Sequence, residues 1–382
     1  MRAASRTASR SLKTFALAFA LVGAGLRAKS PPLAEVAAAI GPAEARQALF
    51  GISARAEASG PRGAFVSEML SLADGTARFR LTKGSEITEL LLVDGKPFAR
   101  SGAASPVGGP LRPAEATMAG FVRGHEVHRM LLDLDLRFQV VERATAPGCL
   151  ALAGPDASAV TLCRAAGSDL PATLELGSPS AAGGDSVTLE LGDWRGVLGG
   201  HGVRLPFAVS FLHAGERHDY RYTEVLPFRI APGVPLPEGR EVLLARLDDL
   251  ATLAAAHERV LEAHRRSDVQ MLLADAPQRS LQSGRGVLKE TGPDELAAQL
   301  GPYLASTRFS RYEDVAPPVI ALSADGTLGW LACQIEAAGT QLSSGGSPEP
   351  LAFGFSWVEL YARQNGRWQS IGNASSVRPP DS

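Results

Sequence analysis

The sequence predicts an α+β protein with two units: a large antiparallel sheet interrupted by helices, and then helices followed by a long-stranded sheet. Residues 51–98 are short alternating runs separated by glycine-containing turns, which is typical of antiparallel strands. Apolar residues with helical spacing begin near Val242. The segment APGVPLPEGRE, residues 231–241, lies between the two patterns and is rich in Pro and Gly, as expected of a domain boundary.

The first 28 residues have the features of a signal peptide. Four basic residues precede an uncharged run: Arg2, Arg6, Arg10 and Lys13. The run TFALAFALVGAGL, residues 14–26, is short for a membrane span and typical of a signal-peptide core. We expect cleavage after Ala28 and a soluble periplasmic or secreted protein, with a single uncleaved anchor as the alternative.

Composition and charge exclude several classes of partner. The chain is 45% hydrophobic and 20% charged, which is typical of a globular protein. Residues 1–28 hold five basic and no acidic residues, so the processed chain would carry 33 basic against 40 acidic residues, a net charge of −7. This balance argues against nucleic acid and anionic membrane surfaces as partners.

The N-terminal elements follow from local patterns. Residues 33–49 have a helical pattern with a break at Gly41-Pro42, and the alternating runs of 51–98 predict a meander of strands. A helical pattern returns at residues 113–133, and alternating runs resume from 136 to 230. These patterns predict one antiparallel sheet interrupted by helices.

An exported protein meets an oxidising compartment, in which disulfides persist. The segment 149–163, CLALAGPDASAVTLC, is interpreted as a hairpin centred on Asp156, in which Cys149 faces Cys163. Directly opposed residues can lie close enough to form a bridge, so a Cys149–Cys163 disulfide is predicted. Cys333 lies in the apolar run GWLACQIE and is expected to be a buried thiol.

The C-terminal elements begin with a long helix from about Val242. Its apolar stripe consists of Leu243, Leu247, Leu250 and Leu253. A short helix is predicted from Val269 and another over ELAAQLGPYLAST, residues 295–307. Alternating runs from residue 308 to about 378 predict the strands of the second sheet.

The region from about 35 to 232 contains the helix AAAIGPAEARQAL and the late strand pair GDWRGVLGGHGVRLPFAVSF and HDYRYTEVLPF, with Asp193, Trp194, Arg195, Gly202, Val203, Leu205 and Pro206. Through these residues it resembles the lipoprotein-carrier (LolA/LolB-like) superfamily. The resemblance implies an open antiparallel barrel with a helical lid over an apolar cavity that holds acyl chains. The alternative is that the inward face packs as a core.

The region from about 243 to 378 ends in the run WVELYARQNGRWQSIGNASS, which contains Arg363, Gly366, Arg367, Trp368, Ile371 and Ser375. Through these residues the region resembles the nuclear transport factor 2-like superfamily (SnoaL-like, ketosteroid-isomerase-like). The resemblance implies a cone-shaped α+β barrel in which a curved antiparallel sheet wraps around a pocket. Because such folds host isomerases, hydrolases and pure binding modules, the fold leaves the function open.

Catalytic and metal motifs are scarce in the sequence. The motif HEVH, residues 125–128, has its histidines three apart and not four as in zinc proteases, so an exposed helix face is expected there. The chain lacks GxSxG, a Walker loop, a Rossmann glycine triplet and CxxC. We therefore predict no metal, no cofactor and no catalytic residue, and favour binding over catalysis.

The stretch HERVLEAHRRSD, residues 257–268, continues the leucine stripe, so His257 and His264 are expected on or near its apolar face. Each is either a hydrogen-bonded core residue or part of a pocket wall, where its pKa near neutrality would suit acid–base work. Ser267 and Gln270 have the spacing of a capping box, which ends the helix near Arg266 and places Asp268 in the first turn of the next helix.

Strand residues complete the candidate ligand-binding set, although the pattern leaves open which face of each strand points inward. The candidates in the C-terminal pocket are His257, His264, Trp330, Gln334, Trp357 and Asn373. Trp330 and Gln334 share one face of their strand because side chains alternate along it.

These observations predict an exported two-domain binding protein. The domains are a lipoprotein-carrier-like unit at 33–232, a linker at 233–242 and a nuclear transport factor 2-like unit at 243–378. The first would bind a lipid or another apolar molecule, and the second a small molecule or a partner. The alternatives are an isomerase-type or hydrolase-type enzyme with a histidine as its acid–base group, and an interaction module that forms a homodimer through its C-terminal domain.

Overall fold

The structure is a computed structural model that describes residues 31–103, 109–114, 125–143, 146–154, 159–177, 186–274, 276–284 and 286–378. The signal-peptide prediction for residues 1–28 lies outside them. The helices are α1 (Pro31–Ile40), α2 (Ala43–Ala48), α3 (Val127–Leu132), α4 (Leu134–Arg137), α5 (Arg240–Arg266), α6 (Val269–Leu273) and α7 (Pro293–Ser306). No helix among these residues is both long and apolar enough to cross a membrane.

The first sheet contains β1 (Gly51–Gly60), β2 (Gly63–Leu72), β3 (Ala77–Lys83), β4 (Glu86–Val93), β5 (Lys96–Gly102), β6 (Arg112–Pro113), β7 (Gln139–Arg143), β8 (Cys149–Ala153), β9 (Ala159–Arg164), β10 (Pro171–Leu176), β11 (Val187–Gly196), β12 (Arg204–His213) and β13 (Glu216–Ile230). The second contains β14 (Ser280–Gly284), β15 (Val287–Thr291), β16 (Thr307–Asp314), β17 (Val319–Leu322), β18 (Leu328–Leu342), β19 (Pro348–Gln364) and β20 (Arg367–Val377).

The first sheet is antiparallel and open. Its order is β6–β5–β4–β3–β2–β1–β13–β12–β11–β10–β9–β8–β7, and within the described residues no pairing joins β6 to β7. The predicted α+β class with an antiparallel meander is confirmed, whereas closure into a barrel is not shown. Cys149 lies directly opposite Cys163 in the β8–β9 pair, and the two form a disulfide.

Two-residue turns fix the register of two hairpins. Asp94 and Gly95 join β4 to β5 with φ angles of 50° and 70°, and Asn365 and Gly366 join β19 to β20 with 52° and 78°. Positive φ at both positions is the type I′ geometry, whose twist matches that of paired strands. The Asp-Gly and Asn-Gly pairs therefore specify these hairpins locally.

The inward face of the first sheet packs as a hydrophobic core against α1, α3 and α4. One continuous cluster joins the helix residues Leu33, Val36 and Leu131 to strand residues such as Phe79 and Phe211. The described side chains of this face pack against one another as a core. The apolar ligand expected for this unit stays a prediction.

The HEVH histidines are buried in that core, which corrects the expected exposed helix face. His125 Nε2 lies 2.6 Å from the Tyr220 hydroxyl, and His128 Nε2 donates to the Pro206 carbonyl at 2.9 Å. His128 is 0% exposed and its Nδ1 has no hydrogen-bond partner among the residues described. The apolar residues next to these histidines pack into the core, and the histidines are buried with them.

Replacement of His128 by Gln is expected to flatten the acid dependence of stability. Burial lowers the pKa of His128 to about 4, against the opposing effect of the hydrogen bond to Pro206. Below about pH 6.5 the His128 imidazole is protonated in the unfolded chain but stays neutral in the folded chain. The free energy of unfolding therefore falls as pH drops towards 4. This imidazole accounts for about 2–3 kcal/mol between pH 7 and 4.5.

Urea unfolding of the His128→Gln variant at both pH values checks the prediction. The matched control is His201→Asn, at an exposed position with positive φ that asparagine tolerates. The control should lose as much stability on acidification as the unmodified protein. An equal acid-induced loss in both variants would show that His128 does not titrate in this way.

The second sheet has the order β15–β14–β20–β19–β18, with β16 and β17 both paired to the other edge of β18. The two sheets are joined through β13. The start and middle of β13 pair with β12 and β1, while Arg229 and Ile230 at its end pair in parallel with β17.

Helix α5 lies between the two sheets. Its leucine stripe shares one cluster with Leu70, Leu91 and Phe98 of the first sheet and with Ile320, Leu331 and Ile335 of the second. Ion pairs reinforce the contact, because Asp248 pairs with Arg78 and with Arg80 of β3. The helix begins at Arg240, so it overlaps the end of the predicted linker.

Candidate functional site

A cavity of about 340 Å³ lies in the second unit, between the helices α5, α6 and α7 and the concave face of the second sheet. Its apolar wall comes largely from Ala256, Val260, Met271, Leu272, Leu273, Pro277, Leu296, Leu300, Phe355 and Trp357. Its polar groups come from Arg259, His264, Gln282, Gln299, Tyr312, Glu359, Tyr361, Trp368, Ser370, Asn373 and Ser375. The lining is therefore mixed: hydrophobic walls meet a comparable number of polar side chains, which could orient a bound small molecule.

A row of polar side chains crosses the floor of the cavity. Glu359 of β19 lies directly opposite Asn373 of β20, and Asn373 lies opposite Gln282 of β14. Because residues opposite each other on neighbouring strands present their side chains on the same face, the three form one line. Trp357 shares this face by alternation and adds an aromatic wall beside the row.

His264 lies on the cavity wall. Its ring stacks on Tyr312 with a centroid distance of 4.4 Å, and its Nδ1 donates to the Val260 carbonyl at 2.8 Å. Burial lowers the pKa of His264, so the neutral imidazole is favoured. With the proton held on Nδ1, Nε2 offers a lone pair that has no hydrogen-bond partner within the described part of the chain.

The end of α5 turns the chain so that α6 faces the cavity. Ser267 ends the helix with a left-handed φ of 55°, and Asp268 is the N-cap of α6, where its carboxylate accepts from the Met271 amide at 2.9 Å. The predicted helix end near Arg266 is confirmed. The cap is Asp268 and not Ser267, because Ser267 takes the helix-terminating conformation.

His257 does not contribute to the cavity wall. It is 3% exposed, and its Nε2 donates to the Asp314 carboxylate at 2.9 Å. Burial alone would lower the pKa of His257, but the Asp314 carboxylate outweighs burial and raises it. His257 also contacts Trp357, with a ring-centroid distance of 5.6 Å. Of the two histidines, the structure therefore brings only His264 to the cavity.

Trp330 and Gln334 lie on the opposite face of β18 and do not line the cavity. Leu331, Cys333 and Ile335 are the buried residues of that strand, and Gln334 is exposed. Alternation therefore points Trp330 and Gln334 away from α5. The apolar series at odd-numbered positions was the signal in the sequence that identifies the inner face.

Glu359 and Tyr361 were not among the predicted ligand residues, yet both face the cavity. They share the alternating face of Trp357, which was the available signal. Burial, together with the neighbouring Glu359 carboxylate, raises the pKa of the Tyr361 phenol well above its usual value. Tyr361 is therefore protonated and can act as a hydrogen-bond donor.

The final hairpin is attached to α5 through one carboxylate. Asp249 accepts from Trp368 Nε1 at 2.8 Å and from Arg363 Nη1 at 3.0 Å. These two residues carried the resemblance seen in the sequence, and their role in the structure is to hold β19 and β20 against the helix. That attachment fixes the distance between the polar row and α5.

Solved structures similar to this chain cover its C-terminal third. A ketosteroid isomerase-like protein from Erwinia carotovora atroseptica is 21% identical over 35% of this chain and 98% of its own, with a TM-score of 0.29. An NTF2-like protein of unknown function in nutrient uptake from Rhodospirillum rubrum is 19% identical over 33% and 98%, with a TM-score of 0.27. No protein-family model and no curated protein matches the chain.

Proposed function

We propose that this protein is an exported binding protein whose C-terminal cavity holds a small, largely apolar molecule with one hydrogen-bond donor. The observation that carries the proposal is the cavity of about 340 Å³ with hydrophobic walls and a polar row of Glu359, Asn373 and Gln282. Pockets for small ligands begin at about this size. Glu359 supplies a carboxylate acceptor to which a ligand hydroxyl or amine would donate.

Export is supported by the signal-like residues 1–28 and by the Cys149–Cys163 disulfide, since disulfides persist in oxidising compartments. A lipid in the first unit receives no support from its packed interior. The proposal therefore places the ligand in the second unit, between α5 and the concave sheet.

A titration with 2-naphthol, a fluorescent bicyclic molecule with one hydroxyl, tests the proposal. Saturable binding is expected, with a change in the emission of Trp357 and Trp368, which line the cavity. The variant Glu359→Leu should bind about tenfold or more weakly, because a hydrogen bond to a charged acceptor is worth about 1.5–3 kcal/mol.

Two controls isolate that hydrogen bond. 2-Methoxynaphthalene lacks the donor and should bind the unmodified protein and Glu359→Leu alike. The variant Gln334→Leu, on the outer face of β18, should bind 2-naphthol as the unmodified protein does. The absence of saturable binding would contradict the proposal. If Glu359→Leu bound 2-naphthol as tightly as the unmodified protein, the polar row would not contribute to binding.

A second candidate is an enzyme in which His264 is the general base. The observation that favours it is the neutral imidazole at the cavity wall, with Nδ1 bonded to Val260 and Nε2 available to a substrate. Hydrolysis of 2-naphthyl acetate distinguishes catalysis from binding alone. Turnover that falls at least about a hundredfold in His264→Gln would favour the enzyme, and no turnover above buffer would favour binding.

A third candidate is homodimer formation through the outer face of the second sheet. Leu328, Val358 and Leu360 are 51%, 39% and 45% exposed on that unit, and exposed apolar patches mark interaction surfaces. Light scattering of the whole chain distinguishes a dimer from a monomer.

A further inference from the structure

A second cluster of functional groups lies beside the cavity, beneath α5. His257 of α5, Asp314 of β16 and Cys333 of β18 each offer one potential metal-ligand atom, and the three atoms lie within 4.8 Å of one another. All three residues are at least nine-tenths buried. They come from three separate elements that meet where the inward faces of β16 and β18 pack against the helix.

One buried atom of this cluster has no partner. His257 donates from Nε2 to the Asp314 carboxylate, but its Nδ1 makes no hydrogen bond within the residues that the structure describes. The Cys333 thiol has only a long contact, 4.0 Å, to the Trp357 carbonyl. Buried polar atoms are normally paired, so an unpaired imidazole nitrogen on a residue of this cluster calls for an explanation.

We propose that His257, Asp314 and Cys333 form a binding site for one divalent transition-metal ion, best suited to Zn²⁺. Imidazole nitrogen, carboxylate oxygen and cysteine sulfur are the three donor types that zinc takes in proteins. Ligands of a tetrahedral zinc ion lie about 3.3–3.6 Å apart, given metal–ligand distances of about 2.0–2.3 Å. Metal binding would replace the hydrogen bond between His257 Nε2 and the Asp314 carboxylate, with loss of the shared proton to solvent, and shifts of about 1 Å or less would bring the three atoms to that spacing.

Three protein ligands leave the fourth position of a tetrahedral ion open, which is the arrangement of catalytic rather than structural zinc sites. Cys333 lies directly opposite Trp357 in the β18–β19 pair, two residues along the strand from Glu359, which also lines the cavity. The metal site would thus lie behind the polar row. It rests on its own three residues and stands whether or not the cavity binds an organic ligand.

Cobalt(II) is the probe, because its spectrum reports the ligands directly. The full-length protein, freed of metal with a chelator and kept without reductant, is incubated to equilibrium with CoCl₂. Cys149 and Cys163 are joined in a disulfide and the third cysteine is Cys333, so a thiolate-to-cobalt charge-transfer band identifies the site by itself. The expected result is that band together with visible d–d bands of tetrahedral Co²⁺, saturating at one ion per chain and lost on addition of Zn²⁺.

Matched variants assign the ligands. Cys333→Ser should lose the charge-transfer band, and Asp314→Asn should weaken Co²⁺ binding at least tenfold while keeping the thiol. His201→Asn, at an exposed histidine outside the cluster and the cavity, should give the unmodified spectrum. The absence of a charge-transfer band from the unmodified protein would overturn the proposal, as would Co²⁺ binding unchanged in Cys333→Ser. The spectrum of the unmodified protein decides the question even if a variant does not fold.

Discussion

Replacement of Asp248 by alanine is expected to lower the free energy of unfolding by about 3–5 kcal/mol, because it leaves a buried guanidinium without its partner. Asp248, on α5, forms ion pairs with Arg78 and Arg80 of β3. The Arg78 side chain is 3% exposed, and its Nε has no hydrogen-bond partner among the described residues. Urea unfolding followed by circular dichroism measures the loss.

The same helix supplies the control. Arg266 pairs with Glu262, but the Arg266 side chain is 63% exposed, so Arg266→Ala should change the free energy of unfolding by less than about 1 kcal/mol. A similar loss of unfolding free energy in both variants would show that the Asp248 ion pairs contribute no more to stability than an exposed ion pair does. A larger loss for Asp248→Ala supports a helix that is packed into both sheets.

The second large effect is expected at His257. The substitution His257→Leu should cost about 3–5 kcal/mol, because it leaves the Asp314 carboxylate buried without its hydrogen-bond donor. The two side chains are 3% and 6% exposed, and the nitrogen and oxygen atoms lie 2.9 Å apart. The measurement is urea unfolding in the presence of a chelator, so that bound metal does not contribute.

A double-mutant cycle separates the ion pair from the packing. Replacement of a whole buried pair by apolar residues is often close to neutral, so His257→Leu/Asp314→Val should be more stable than either single variant. If the losses of unfolding free energy in the two single variants simply added in the double variant, the broken ion pair would not be the cause of the destabilisation. The destabilisation would then come from altered packing of the core beneath α5.

Local signals in the sequence predicted the parts of the fold that depend on neighbouring residues. The leucine stripe from Leu243 to Leu253 predicted α5 because spacing alone defines an apolar helix face. The glycine-containing turns of residues 51–98, Asp94-Gly95 among them, predicted tight hairpins because their backbone conformations favour those residues. The same local rules placed His264 on the inward side of α5.

Other features depend on residues that are far apart in the chain. Glu359, Asn373 and Gln282 form one row only because β14 pairs with β20, and no local pattern encodes that pairing. Asp248 meets Arg78 across 170 positions of sequence. The search for polar ligand residues in β18 selected its outward face, because the inward face of that strand carries the apolar residues.

A crystal structure of the protein with 2-naphthol would show where the ligand binds. We expect the naphthol ring in the cavity between Trp357 and the leucines of α6 and α7, with its hydroxyl within hydrogen-bond distance of Glu359. A probe bound elsewhere, or an empty cavity at a probe concentration that saturates binding in solution, would contradict the claim that this cavity is the ligand site.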